Sequence, residues 1–188
     1  MSKLETNTID TVSGTTNLTI GSTNTSTITM PNGALSGQNY PAFEANLGSK
    51  QTVSDNTYTK VAIDNETFDT DSMYDATTNY RWLPTVAGKY YVYASVLFDT
   101  DEGTNSKIDT VDVVIYKNGS VYAQSKDHFL SNPVRMAYLE TSAVIDFNGS
   151  SDYVELYGRN NVNGGTPIFE PNGSWKRGTK FGAYRIGA

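Results

Sequence analysis

Gly88-Lys-Tyr-Tyr-Val-Tyr-Ala-Ser-Val-Leu-Phe-Asp-Thr100 (GKYYVYASVLFDT) reads as a β-strand with too little polar surface. Successive side chains of a strand point to opposite faces. One face is Tyr90, Val92, Ala94, Val96 and Phe98, which belongs in a core. The other is Lys89, Tyr91, Tyr93, Ser95, Leu97 and Asp99. A solvated face of an antiparallel sheet is mostly polar. Here two tyrosines and a leucine interrupt it, so something must cover them: a loop of the same chain or another copy.

The remaining composition sets the context for that strand. The chain has 188 residues, enough for one domain with a sizeable core. Tyr, Gly, Thr and Asn are abundant, and runs of strong helix formers are missing, which favours strands and turns. There is no cysteine, which excludes disulfides, thiolate metal sites and cysteine nucleophiles. A formal charge of −6 argues against a nucleic-acid surface. No apolar run is long enough to span a membrane, and Met1–Asp10 is polar, so neither membrane insertion nor export is expected.

Two segments differ in character. Residues 1–40 contain no aromatic residue before Tyr40 and are dominated by Thr, Ser, Asn and Gly. Thr16-Asn-Leu-Thr-Ile-Gly21 is echoed by Ser26-Thr-Ile-Thr-Met-Pro31. Each is a short alternating stretch closed by a breaker. Leu18, Ile20, Ile28 and Met30 would share one side of an extended attachment arm that orders by pairing with other chains. A disordered polar tail is the alternative. Residues 41–188 are aromatic-rich and read as a head domain with strands near 42–47, 58–63, 79–83, 89–99, 108–116, 120–125, 134–147, 153–157 and 180–186. Asn118-Gly119 and Asn148-Gly149 both read as two-residue hairpin turns. Many short strands with no helical period between them predict an all-β sandwich or jelly roll.

Several short patterns in the head carry a resemblance. These are Phe68-Asp69, Tyr74-Asp75, Tyr80-x-Trp82-x-Pro84 and Gly88-x-Tyr90-Tyr91-Val92-Tyr93, with Ala42-Phe-Glu-Ala45 and Tyr58-Thr-Lys-Val61 upstream. Downstream lie the stretch Ala143–Leu156 and the closing Thr179-Lys-Phe-Gly-Ala-Tyr-Arg-Ile186. In this order they resemble the globular head of complement component one, subunit q, whose fold the tumour-necrosis-factor ligands share. The resemblance implies a ten-stranded jelly roll that assembles as a tight homotrimer. It implies that the strand beginning Gly88 lies on the inner sheet, so that Tyr91, Tyr93 and Leu97 line a three-fold axis. The family's collagen stalk has no counterpart, since no Gly-x-y repeat exists. A short polar arm before such a head resembles the small structural proteins of bacteriophage particles.

Catalytic and ligand-binding patterns are sparse. The only histidine is His128, beside Asp127, with no Gly-x-Ser-x-Gly elbow anywhere. Acidic residues gather at Asp64, Glu66, Asp69, Asp71 and Asp75, and at Asp99, Asp101, Glu102, Asp109 and Asp112. Neither stretch has the spacing of a calcium loop, so a solvated acidic surface is expected and no metal or cofactor. The Gly-rich loop 160–178 carries Phe169, Trp175, Lys176 and Arg177, which would either grip a sugar or protein or close the end of the barrel.

The resulting expectation is a non-enzymatic virion protein: a trimeric capsid decoration, cement or head-fibre protein. Its partners would be its own copies and, through the arm, the major capsid protein. The alternative is a tail-fibre tip that binds a host-surface glycan or protein through head loops.

Overall fold

The computed structural model describes residues 40–101, 107–171 and 178–187. Every regular element among them is a strand. In chain order these are β1 (Ala42–Asn46), β2 (Gln51–Thr52), β3 (Thr59–Lys60), β4 (Asn65–Asp69), β5 (Tyr74–Asp75), β6 (Arg81–Trp82), β7 (Gly88–Asp99), β8 (Ile108–Lys117), β9 (Ser120–His128), β10 (Met136–Phe147), β11 (Val154–Val162), β12 (Ile168–Glu170) and β13 (Lys180–Gly187). They form two antiparallel sheets. In the first, β7 is flanked on one side by β10 and on the other by β13 and β12 in succession, with β1 and β4 beyond β13 and β2 beyond β12. The second runs β5-β6-β11-β8-β9, with β3 also on β11.

The core lies between the sheets, and alternation put it there. Tyr90, Val92, Ala94, Val96 and Phe98 of β7 are all buried, as period two requires. They meet Val111, Val113 and Ile115 of β8 and Val154 and Leu156 of β11. At one end the core is aromatic. Phe43 stacks on Tyr74 and Trp82 at 4.8 and 4.9 Å, and Trp82, Tyr90 and Phe147 pack edge to face at 5.2–5.7 Å. Truncating any one of these rings to alanine costs about 3–5 kcal/mol. The buried Tyr74 hydroxyl donates to the Ile63 carbonyl at 2.8 Å, and burial pushes its pKa far above the ordinary value.

Asn118-Gly119 is the predicted hairpin turn. Both residues have positive φ (51° and 77°), which matches a type I′ connection between β8 and β9. Asn148-Gly149 is not a hairpin. β10 pairs with β7 in the first sheet, whereas β11 pairs with β8 in the second, so the turn crosses the sandwich. The Asn148 side chain organises this crossing: its Oδ1 accepts the N–H groups of Ser150, Ser151 and Asp152 at 2.9–3.1 Å. The stretch 134–147 gives one unbroken strand from Met136, and β11 runs five residues past the predicted end at 157.

The sandwich has two distinct ends. Pro41, whose carbonyl accepts the Arg185 N–H, sits at the same end as Gly187, the Asn118-Gly119 turn and the Asn148 crossing. The opposite end gathers the last residues of β7 and β11 and the first of β8 and β12. There the N–H groups of Lys107, Asn163 and Thr166 donate to the carbonyls of Val134, Lys107 and Thr100.

Candidate functional site

The face that stands out is the outer side of the first sheet. Register fixes its members. Tyr91 lies between Val144 of β10 and Tyr184 of β13, and Tyr93 between Ser142 and Gly182. Glu44 of β1 is opposite Gly182, and Phe68 of β4 is opposite Glu44. This surface exposes Phe68, Tyr138, Val144 and Tyr184, each 45–50% accessible, with Tyr91 and Tyr93 half-buried between them.

The tyrosines are held in place. Tyr91 stacks on Tyr93 with centroids 6.2 Å apart and leans on Tyr184 at 5.5 Å. The Tyr93 hydroxyl donates to Glu44 Oε2 at 3.0 Å, and Lys180 Nζ lies 5.9 Å from the Tyr93 ring. Gly182 makes the seat. A Cβ on it would stand 2.4 Å from the Tyr93 ring and hydroxyl, so only glycine lets the ring lie flat across β13. Beside the rings is an open groove of about 910 Å³, lined by Glu44, Tyr93, Glu140, Ser142, Lys180 and Tyr184 among others. Tyr138, at the far side of the face, donates to Glu140, and burial followed by that bond raises its pKa.

Of the three residues expected at an axis, Tyr91 and Tyr93 lie side by side on this open face. Leu97 does not belong with them. It is only 7% exposed, because the chain itself covers that end of β7. Gly178 packs on the Leu97 side chain, Thr179 Oγ1 accepts the Leu97 N–H at 2.9 Å, and Ser95 Oγ donates to the Gly178 carbonyl at 2.8 Å. Phe169 is a second correction. It sits on β12 rather than in a free loop, fully buried, edge-on to Phe98 at 5.6 Å and pressed against Gly158. It is a core side chain and cannot contact a ligand. Trp175, Lys176 and Arg177 lie outside the described residues, as do Leu18, Ile20, Ile28 and Met30 of the arm.

The acidic groups serve separate structural tasks. Asp75 accepts the N–H groups of Thr77, Thr78 and Asn79, which with the Asn79 amide hold its carboxyl well below the usual range. Asp69 accepts from the N–H groups of Asp71 and Tyr74. Asp112, fully buried on the outer side of the second sheet, takes a two-pronged Arg159 guanidinium (2.8 and 2.6 Å) and the Gln124 amide. Asp101 pairs with Lys50 at the end away from Pro41. His128 ends β9, with Nδ1 3.3 Å from Thr110 Oγ1.

No protein-family model matches the sequence, and the search of curated proteins found no match. Solved structures do match. Murine APRIL at pH 5.0 superposes with a TM-score of 0.54 over 79% of this chain and all of its own, at 14% identity. The globular domain of zebrafish complement 1qA gives 0.55 over 79% of this chain and 98% of its own, at 12% identity. The fold is their jelly roll. A tumour-necrosis-factor protein from S. frugiperda, Eiger, follows at 0.50 and 13% identity over 78% of this chain and 91% of its own. At such identities the likeness extends to architecture alone.

Proposed function

We propose that the chain is a trimeric structural component of a bacteriophage particle, in which the head self-assembles through the Tyr91/Tyr93 face and residues 1–40 attach it to the virion. The observation behind this reading is the exposed aromatic face of the first sheet. Tyr184 is 48% accessible, so roughly 100 Å² of it remains to be covered, worth about 2 kcal/mol per copy. Neighbouring apolar surface strengthens the case. Val121 and Tyr122 of β9 are exposed at the adjoining edge, and the Tyr122 hydroxyl reaches across to the Val144 carbonyl at 3.2 Å. A face of one copy meeting the edge of the next is a heterologous contact, and such contacts close into a ring where the rotation between copies is a third of a turn. The polar, Thr-rich composition of residues 1–40 suits β-pairing along coat-protein strands.

A second reading has one observation in its favour. The polypeptide enters the head at the Pro41 end, and the strand ends Asp99, Ile108 and Glu170, which flank the connections longest in sequence, lie toward the other. A particle-bound head would therefore hold that end outward, where a tail-fibre tip reads a host glycan or protein. Antibody against the purified protein, applied to virions and imaged by electron microscopy, separates capsid from tail, and absence of label from every particle would refute both. Deleting residues 1–40 should leave the head folded and abolish incorporation. Decoration by the truncated protein would remove the arm as anchor.

A further inference from the structure

We propose that Asn163 is a site of spontaneous deamidation, distinguished by the fold from the chain's other described Asn-Gly steps. In such a step the Gly backbone nitrogen attacks the Asn Cγ. Ammonia leaves, a succinimide ring forms, and water opens it at either carbonyl to give aspartate or isoaspartate. Asn-Gly pairs at 118–119, 148–149 and 163–164 fall within the described residues.

Two of them are locked. Asn118 Oδ1 accepts the Tyr153 N–H at 2.9 Å and its Nδ2 donates to Asp152 at 2.8 Å. Asn148 Oδ1 accepts three backbone N–H groups, and its Nδ2 donates to Ser151 Oγ at 2.8 Å. Attack at either one first requires these bonds to break. Each broken bond of ordinary net strength slows the step about fivefold to tenfold.

Asn163 has no such restraint. It is exposed between β11 and β12, and among the described residues only its backbone N–H is engaged, with the Lys107 carbonyl at 2.7 Å. Gly164 and Gly165 follow with φ of 97° and 81°, a stretch of backbone with no side chains to hinder rotation of the amide. Lys107 adds chemistry. Its Nζ lies 3.3 Å from where a Cβ on Gly164 would stand, and it forms no ion pair among the described residues. The attacking species is the deprotonated Gly164 amide, and an ammonium beside it stabilises that anion. The product carries one more negative charge at the end of the head away from Pro41, and isoaspartate also lengthens the backbone there.

The test is peptide mapping by mass spectrometry of the full-length protein held folded in mildly alkaline buffer. The Asn163 peptide should convert at least about tenfold faster than those containing Asn118 or Asn148. The three rates should converge in denaturant, because the restraint is lost with the fold. Lys107→Met should slow conversion at Asn163 and leave the other two unchanged. Conversion of Asn118 or Asn148 as fast as Asn163 in the folded protein would overturn the assignment, and an unchanged rate in K107M would overturn the part given to Lys107.

Discussion

Tyr93→Asp tests the proposed assembly because it charges the interface without touching the core. Tyr93 points away from the sandwich interior, half-buried beside Tyr91. An isolated head therefore keeps its fold, with the new carboxylate in water and Lys180 within reach to offset Glu44. Assembly changes the balance. Each copy must bring a carboxylate into a water-excluded contact, which costs at least about 3 kcal/mol after relaxation. Three copies sum to roughly 9–10 kcal/mol, before counting the lost aromatic burial. At 1.4 kcal/mol per decade, that weakens the overall association constant by about seven orders of magnitude. Tyr93→Phe is the matched control, since it keeps the ring and removes the hydroxyl with its bond to Glu44, a loss of about 0.5–1.5 kcal/mol for that bond. Sedimentation velocity at micromolar protein should give a monomer for Y93D and the parent species for Y93F, with far-ultraviolet circular dichroism unchanged in both. Parent-like sedimentation of Y93D would refute the assignment of Tyr93 to the contact.

Gly182→Val should displace the Tyr93 ring, costing about 1–3 kcal/mol of stability in urea unfolding, and Tyr93→Ala in the same chain should recover part of the loss through coupling. Arg159→Met leaves the buried Asp112 carboxylate without its cation and should cost about 3–5 kcal/mol, most of it regained in the Asp112→Asn double variant. Glu170 tests linkage: burial raises its pKa above the ordinary 4.5, with Asp99 and Asp101 adding to the rise against Lys50 and Arg135. A carboxyl whose folded pKa is raised favours folding fully below its unfolded value and loses that contribution as pH climbs through the folded one. Glu170→Gln should therefore melt higher than the parent at neutral pH, with the difference vanishing as pH falls below about 4.5.

The strands that could be read from sequence are those with a strong period-two pattern. β7 and β10 alternate along most of their twelve residues and, like β8 and β13, appear close to where the sequence reading places them. β2, β5 and β12 are two or three residues long, and so short a stretch holds no period to read. β4, Asn-Glu-Thr-Phe-Asp, is an exposed edge with almost no apolar content, held by its pairing to β1 rather than by burial. The Asn148 turn was misread because hairpins and sheet crossings use the same Asn-Gly chemistry, and only the partner of the next strand separates them.

The site divides in the same way. Tyr91 and Tyr93 were visible because two aromatics on the wrong face of one strand are a local signal. Tyr184, Lys180, Gly182 and Glu44 join them through register across three strands, which no single stretch of sequence encodes. Leu97 looked equivalent to Tyr93 along β7. Gly178 and Thr179, some eighty residues later, fold back over it. Phe169 sat among loop residues in sequence, yet three residues of strand beside β7 suffice to carry its ring into the core.

The most direct test of the self-assembling face is the native mass of the unmodified protein at micromolar concentration, by analytical ultracentrifugation or native mass spectrometry. Three chains per particle is the predicted result. A well-folded, monodisperse single chain would leave the exposed side chains of this face, Tyr184 among them, in solvent and contradict the account.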